Sequence, residues 1–296
     1  MAKPIASDGA MFLLTFQEAE AGDVSAQREI GNCYMLGQGV VQDFKQAVCW
    51  YTKAAEQGHA GAQKCLGNMY ANAMGVAQDY ALAIHWYRKA AEQGNAKARF
   101  NLGLMYQIGH GVEKDYVEAY RWQLMSAQQG YVAAQFSVGL LYAEGKGVEK
   151  NRAKALEWLC RAAEQNHPTA QYDMGLAYET GDGVVQSYVE AAKWYKCAAY
   201  NGDYFAQVSY ATQLAEGRGL AKDPRQAYVW FTIAAKQQSL SPEASQILHR
   251  IGNALTLAQI TAIDADIIQF ERAIQARKPL NHLAQISAKK AAGEKV

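Results

Sequence analysis

Apolar positions along the chain fall into two alternating helical patterns. In the first, Ile30, Gly31 and Tyr34 share one face, predicting a helix from about Ala26 to Leu36. In the second, Ala47, Trp50, Tyr51 and Ala54 form a stripe of the same period. Between them lies Gly37-Gln38-Gly39-Val40, where a glycine can take the left-handed conformation that lets the chain leave a helix. Asp43, Asp79, Asp115, Asn151, Ser187 and Asp223 each precede a stripe of the second kind and are good acceptors for the free N–H groups of a helix start. Gln46, Glu118, Glu190 and Gln226 follow their caps by three residues, which predicts reciprocal capping boxes. Pro224 stands at a first helical position, where its missing N–H costs nothing.

The whole pattern recurs every 36 residues: Trp50, Trp86, Trp122, Trp158, Trp194 and Trp230 are evenly spaced. Gly31, Gly67, Gly103, Gly139, Gly175 and Ala211 keep the same interval, as do the alanine series from Ala26 to Ala206 and from Ala47 to Ala227. The glycine turn returns in every unit except the second, which has Ala73-Met74-Gly75, and Gly58, Gly94, Gly130 and Gly202 close their units. Six helix-turn-helix repeats are therefore expected at 24–59, 60–95, 96–131, 132–167, 168–203 and 204–239. The small residues at 31 and 47 are expected to let helix axes approach until Trp50 and Tyr34 types interlock.

A helix pair alone cannot bury both its faces, so repeats stack and the ends need caps. A shift of 36 sets Leu14, Ala19 and Gly22 beside Trp50, Ala55 and Gly58, so residues 1–23 are expected to form an N-terminal capping helix. That reading is preferred to a secretory leader, which Lys3, the apolar stretch 10–16 and Ala19-Glu20-Ala21 only loosely imitate. Ser241-Pro242 and the capping box from Thr256 to Gln259 predict C-terminal capping helices over 240–278. Residues 279–296 lose the pattern and read as a frayed tail.

Composition narrows the function. Half the chain is hydrophobic and 19% is charged, enough apolar material for a large core. Lys plus Arg (29) and Asp plus Glu (28) nearly cancel, leaving no electrostatic footprint for nucleic acid. No apolar run approaches the roughly 18 residues that suggest a membrane span. Cys33, Cys49, Cys65, Cys160 and Cys197 show no paired spacing and read as free thiols in a reducing, cytoplasmic setting, with a secreted or periplasmic location as the alternative.

No catalytic constellation emerges. The Gly-x-Gly turns follow helices and lack the strand and third glycine of a nucleotide cradle. The six histidines share no i, i+4 spacing, so neither a metal nor another cofactor is expected. Ser287 and Lys290 match a Ser-x-x-Lys fragment without its partner motifs.

The unit Ala-Gln-x-x-Leu-Gly-x-x-Tyr, a glycine–valine turn, then Asp-x-x-x-Ala-x-x-Trp-Tyr-x-x-Ala-Ala-x-x-Gly resembles the Sel1-like repeat, over residues 24–239. That family is related to the tetratricopeptide repeat, with a longer turn between its helices. The resemblance implies an all-α, right-handed α-solenoid with a concave inner surface. It also implies a non-catalytic scaffold or adaptor that binds a peptide or protein. Bacterial members serve signalling, secretion, envelope assembly and virulence, so a secreted or envelope-associated interaction module is the alternative. A secreted subgroup with a cysteine pair in each repeat is associated with penicillin binding; the pairs are lacking here, which leaves a penicillin-binding enzyme a distant third.

By the same resemblance, the first helix of each repeat faces the groove. Position 28 and its equivalents read Arg28, Lys64, Phe100, Phe136 and Tyr172, and position 32 reads Asn32, Asn68, Leu104 and Leu140. Asn101, Gln107 and Asp173 complete the candidate partner-binding set. The groove would be basic and amide-rich at its N-terminal end, then aromatic and apolar. Phe100, Phe136 and Tyr172 fit equally a packing role between repeats. Arg28 and Lys64, with Asn32 and Asn68, would grip a carboxylate or form ordinary solvated surface.

Overall fold

Helix starts are set by side-chain acceptors spaced one repeat apart. Asp43, Asp79, Asp115, Ser187 and Asp223 accept from N–H groups two or three residues ahead. The first helices have a second series of caps: Asp23, His59, Asn95, His167 and Asp203 accept from Ala26, Ala62, Ala98, Ala170 and Ala206. Two of the histidines are thus helix caps that use a neutral ring nitrogen as acceptor.

The expected capping boxes at Gln46, Glu118, Glu190 and Gln226 do not close in the reciprocal way. The N–H groups of Asp43, Asp115, Ser187 and Asp223 donate instead to the carbonyls of Tyr34, Tyr106, Tyr178 and Leu214, in the last turn of the preceding helix. The turn folds back far enough to satisfy that donor, which frees Glu118 and Glu190 to bond Arg121 and Lys193. At Thr256 no such carbonyl serves, and its predicted box forms in both directions with Gln259.

A computed structural model describes residues 6–277, and every regular element among them is an α-helix. A first helix, α1 (Ala6–Glu20), precedes the pairs α2 (Val24–Leu36) and α3 (Phe44–Glu56), α4 (Ala60–Ala71) and α5 (Tyr80–Glu92), and α6 (Ala96–Ile108) and α7 (Tyr116–Gln128). Then come α8 (Val132–Glu144) and α9 (Arg152–Glu164), α10 (Pro168–Thr180) and α11 (Tyr188–Tyr200), and α12 (Tyr204–Glu216) and α13 (Pro224–Gln237). The last two are α14 (Pro242–Ala254) and α15 (Leu257–Arg277). The chain divides into two compact units after Asn151, so α1–α8 belong to the first and α9–α15 to the second. The expected tail at 279–296, with Ser287 and Lys290, lies outside the described residues.

Close packing of first on second helices comes from glycine, but the partner differs from the expected one. A Cβ on Gly31, Gly67 or Gly175 would lie 2.5–2.6 Å from the ring of Tyr51, Tyr87 or Tyr195. In these three repeats the tyrosine after the tryptophan therefore fills the glycine notch, because the stripe turns that residue into the pair and the tryptophan toward the neighbouring repeat. Trp50 is buried in a cluster with Ala19, Ala26 and Ile30, and Phe16 of α1 meets its ring at 5.4 Å. Trp230 is covered by Tyr200 and by Phe270 of α15, at 4.9 and 5.4 Å. Ala19 is buried in α1, as Ala55 is in α3, but Leu14 is 65% exposed where Trp50 is buried.

The two turn glycines share one reason, and the second has another. Gly109 is a left-handed helix cap (φ 84°); Gly111 is also left-handed (φ 72°), and a Cβ there would in addition strike the backbone of Tyr80 in the preceding repeat at 2.8 Å. The residue between the glycines reaches that same helix start. His110 stacks on Tyr80 at 4.6 Å, Lys146 lies 5.5 Å over Tyr116, and Arg218 lies 5.7 Å over Tyr188. Asp182 pairs there with Arg152 at 2.9 Å.

A buried amide joint reinforces the stacking. Gln27, Gln63, Gln135, Gln171 and Gln207 donate to carbonyls of Ala19, Ala55, Ala127, Ala163 and Ala199, each at the end of the preceding helix. The side-chain oxygens of Gln27, Gln63, Gln171 and Gln207 accept in turn from Gln57, Gln93, Asn201 and Gln237. These orphan carbonyls, buried by the next repeat, would otherwise be costly.

Candidate functional site

The candidate residues of the first unit lie on α2, α4, α6 and α8, all half-buried. Arg28 is held by Glu29 at 3.5 Å. Asn32 accepts the Tyr51 hydroxyl at 2.7 Å and donates to Glu29 at 3.0 Å. Burial drives the Tyr51 phenol pKa upward, so the hydroxyl stays a donor. Phe100 of α6 meets Tyr131, the residue that precedes α8, edge-on at 5.3 Å. Gln107 accepts from the fully buried Gln123, which in turn accepts from Ser137. Gln107 therefore supports a polar core in the third repeat, where tyrosine gives way to glutamine.

Asn68, Asn101 and Leu104 come together. They line a cavity of about 290 Å3 with Asn72, Tyr80 and His110, where α4, α5 and α6 meet. Asn68 Oδ1 accepts from the Tyr87 hydroxyl at 2.7 Å and from Asn101 Nδ2 at 3.0 Å. Asn72 Nδ2 donates to the Asn68 carbonyl at 2.8 Å. The Tyr80–His110 stack makes one wall. Arg28, Asn32 and Lys64 are not among the lining residues. The cavity was not apparent from the sequence, although position 32 and Asn101 pointed to its lining.

In the second unit Tyr172 packs on Tyr195 and Phe205, at 5.7 and 5.8 Å. Asp173 is drawn into the protein, and its pKa is raised to about 6, first by burial and then by Asp203, with Arg152 opposing. Tyr195 donates to Glu179 at 2.6 Å. No group of three or more His, Cys, Asp or Glu among the described residues is arranged to hold a metal. All five cysteines are unpaired.

The repeat pattern matches the Sel1 repeat at residues 24–59, 62–95, 96–131, 132–167, 168–203 and 205–239. The chain belongs to the Sel1 repeat family. No curated protein sequence matches it. Among solved structures it is similar to a protective antigen present in uropathogenic Escherichia coli strains, at 35% identity and a TM-score of 0.79. That match covers 90% of this chain but 56% of the antigen, so the chain spans little over half its length. A Sel1 repeat protein from Oxalobacter formigenes is 36% identical with a TM-score of 0.69, over 74% of this chain and 89% of its own. PilF of Pseudomonas aeruginosa, 21% identical with a TM-score of 0.54 over 79% and 99% of the two chains, shares the fold alone. The fold is thus an all-α Sel1 repeat solenoid, a class that generally serves protein interaction and is typically a non-catalytic scaffold. No helix among the described residues is long and apolar enough to cross a membrane.

Proposed function

We propose that this protein is a non-catalytic adaptor that receives a peptide or protein partner on the row of first helices in its first unit. The observation that carries this reading is the cavity lined by Asn68, Asn101 and Leu104, which differ in chemistry while the frame around them repeats. Five unpaired cysteines support action in a reducing, cytoplasmic compartment.

Capture of a partner from native lysate, followed by titration with that partner in purified form, tests the reading. An Arg28→Glu/Lys64→Glu variant changes the first-helix row, and a Lys45→Glu/Val117→Glu variant changes exposed positions on the second helices. Loss of affinity in the first variant alone, with unchanged circular dichroism, is the expected result. Loss in the second alone overturns it.

The likeness to a protective antigen favours one other reading, an envelope-associated or secreted interaction module. Cell fractionation with the N-terminus mapped separates the two. Native protein that starts at Met1 or Ala2 and stays in the cytosol rules the second out.

A further inference from the structure

The cavity between the second and third repeats is selective in its unmet hydrogen bonds. Asn68 Oδ1 already accepts twice, from Tyr87 and Asn101. Among the described residues, Asn68 Nδ2 and Asn101 Oδ1 have no hydrogen-bond partner, which leaves one donor and one acceptor on successive repeats. That pair complements the C=O and N–H of amide groups. No Asp, Glu, Lys or Arg lines the cavity, so a carboxylate or ammonium group finds no opposite charge there. Leu104 and the Tyr80–His110 stack provide apolar surface beside the amides.

We propose that the Asn68–Asn101 pocket binds an extended peptide through its main-chain amides, with one neutral apolar side chain resting against Leu104. The inference rests on the adaptor reading and names the chemistry of the segment that the adaptor holds. Tyr87 is wedged against Gly67 and bonded to Asn68, so the asparagine is oriented before the peptide arrives. A preset amide loses little freedom on binding, which favours main-chain recognition with broad tolerance of side chains.

The test uses the full chain and peptides selected from a displayed random heptapeptide library. One binder is remade with each residue in turn N-methylated, and separately with each replaced by alanine. N-methylation at one position is expected to weaken binding at least tenfold, while alanine at that position weakens it less. In Asn101→Leu the same N-methyl group is expected to cost nothing further. His110→Ala, which removes one side of the stack at an exposed residue, is expected to weaken every binder about threefold and provides a second readout should Asn101→Leu fold poorly. A library that yields no binder overturns the inference, as does binding indifferent to N-methylation. Binding that survives Asn101→Leu but is lost in Arg28→Glu/Lys64→Glu overturns the pocket and leaves the adaptor reading standing.

Discussion

Gly67 faces Tyr87 so closely that a Cβ on the glycine would meet the ring carbons Cδ1 and Cε1 at 2.6 Å each. The hydroxyl at the far end of the same ring bonds Asn68, the next residue in α4. Two consecutive residues therefore hold one buried tyrosine at both ends, and Gly31, Asn32 and Tyr51 repeat the arrangement. Stability and the candidate pocket are linked through this ring.

Gly67→Ala is expected to destabilise the protein by about 1–3 kcal/mol, the usual cost of overpacking. Helix propensity alone would favour alanine by about 1 kcal/mol, so the sign distinguishes the two effects. Urea denaturation followed by circular dichroism measures it. A midpoint that stays put or rises would show that the ring moves aside freely.

Ala73 occupies the left-handed position that glycine holds in the other turns, with φ at 54°. An L-residue with a Cβ is strained there, and glycine is not. Ala73→Gly should raise stability by about 0.5–1 kcal/mol, the net of about 1–2 kcal/mol of left-handed strain relieved and the added entropy of the unfolded chain. Thermal melts of the two proteins decide it, and a lower melting temperature for the glycine variant refutes the assignment.

The glutamine joint predicts a ranking. Gln63→Ala leaves the buried Ala55 carbonyl without its partner, which costs about 1–3 kcal/mol, while the exposed Gln93 amide keeps its bond to the Lys89 carbonyl. Arg99 occupies the equivalent place in the third repeat and donates to the Ala91 carbonyl at 3.0 Å. Gln63→Arg should therefore be less damaging than Gln63→Ala, despite the charge it brings. Equal losses in denaturant titrations would mean that the joint contributes packing and not hydrogen bonds.

His167 caps α10 through a ring nitrogen that must be unprotonated to accept from Ala170. Burial lowers its pKa, so the folded protein binds this proton less tightly than the unfolded chain does. The stability it contributes is complete above the unfolded value of about 6.5 and is lost as pH falls through and below it. His167→Asn keeps an acceptor without the titration. Its stability relative to wild type should rise between pH 7.5 and 5; a constant difference would remove the histidine from the pH response.

Much of this architecture is legible in the sequence because it is periodic. The 36-residue spacing of Trp50 and its equivalents places every helix pair, and Asp43 and its equivalents mark where second helices begin. What escapes is what depends on which way a face turns. Trp50 and Tyr51 are adjacent, and only the packing shows that the tyrosine enters the glycine notch. The capping boxes misled because the N–H of Asp115 finds the carbonyl of Tyr106 through a turn whose path local sequence does not specify. Asn32 and Asn68 occupy equivalent positions, yet Asn101 stands beside the second alone and makes a pocket of it.

Asp173 provides a titration of opposite sign in the second unit. Burial, with Asp203 adding to it and Arg152 opposing, raises its pKa to about 6, above the ordinary carboxylate value near 3.9. The folded state thus binds this proton more tightly, and the charged form opposes folding at neutral pH. That penalty is full above about pH 6 and disappears as pH falls toward 4. Asp173→Asn mimics the neutral form and should stabilise the protein by about 1–3 kcal/mol at pH 8, with the gain fading to nothing near pH 4. Denaturation midpoints at pH 8, 6 and 4 give the comparison. If the variant is less stable at pH 8, attraction to Arg152 outweighs burial and the carboxylate belongs to the structure in its charged form.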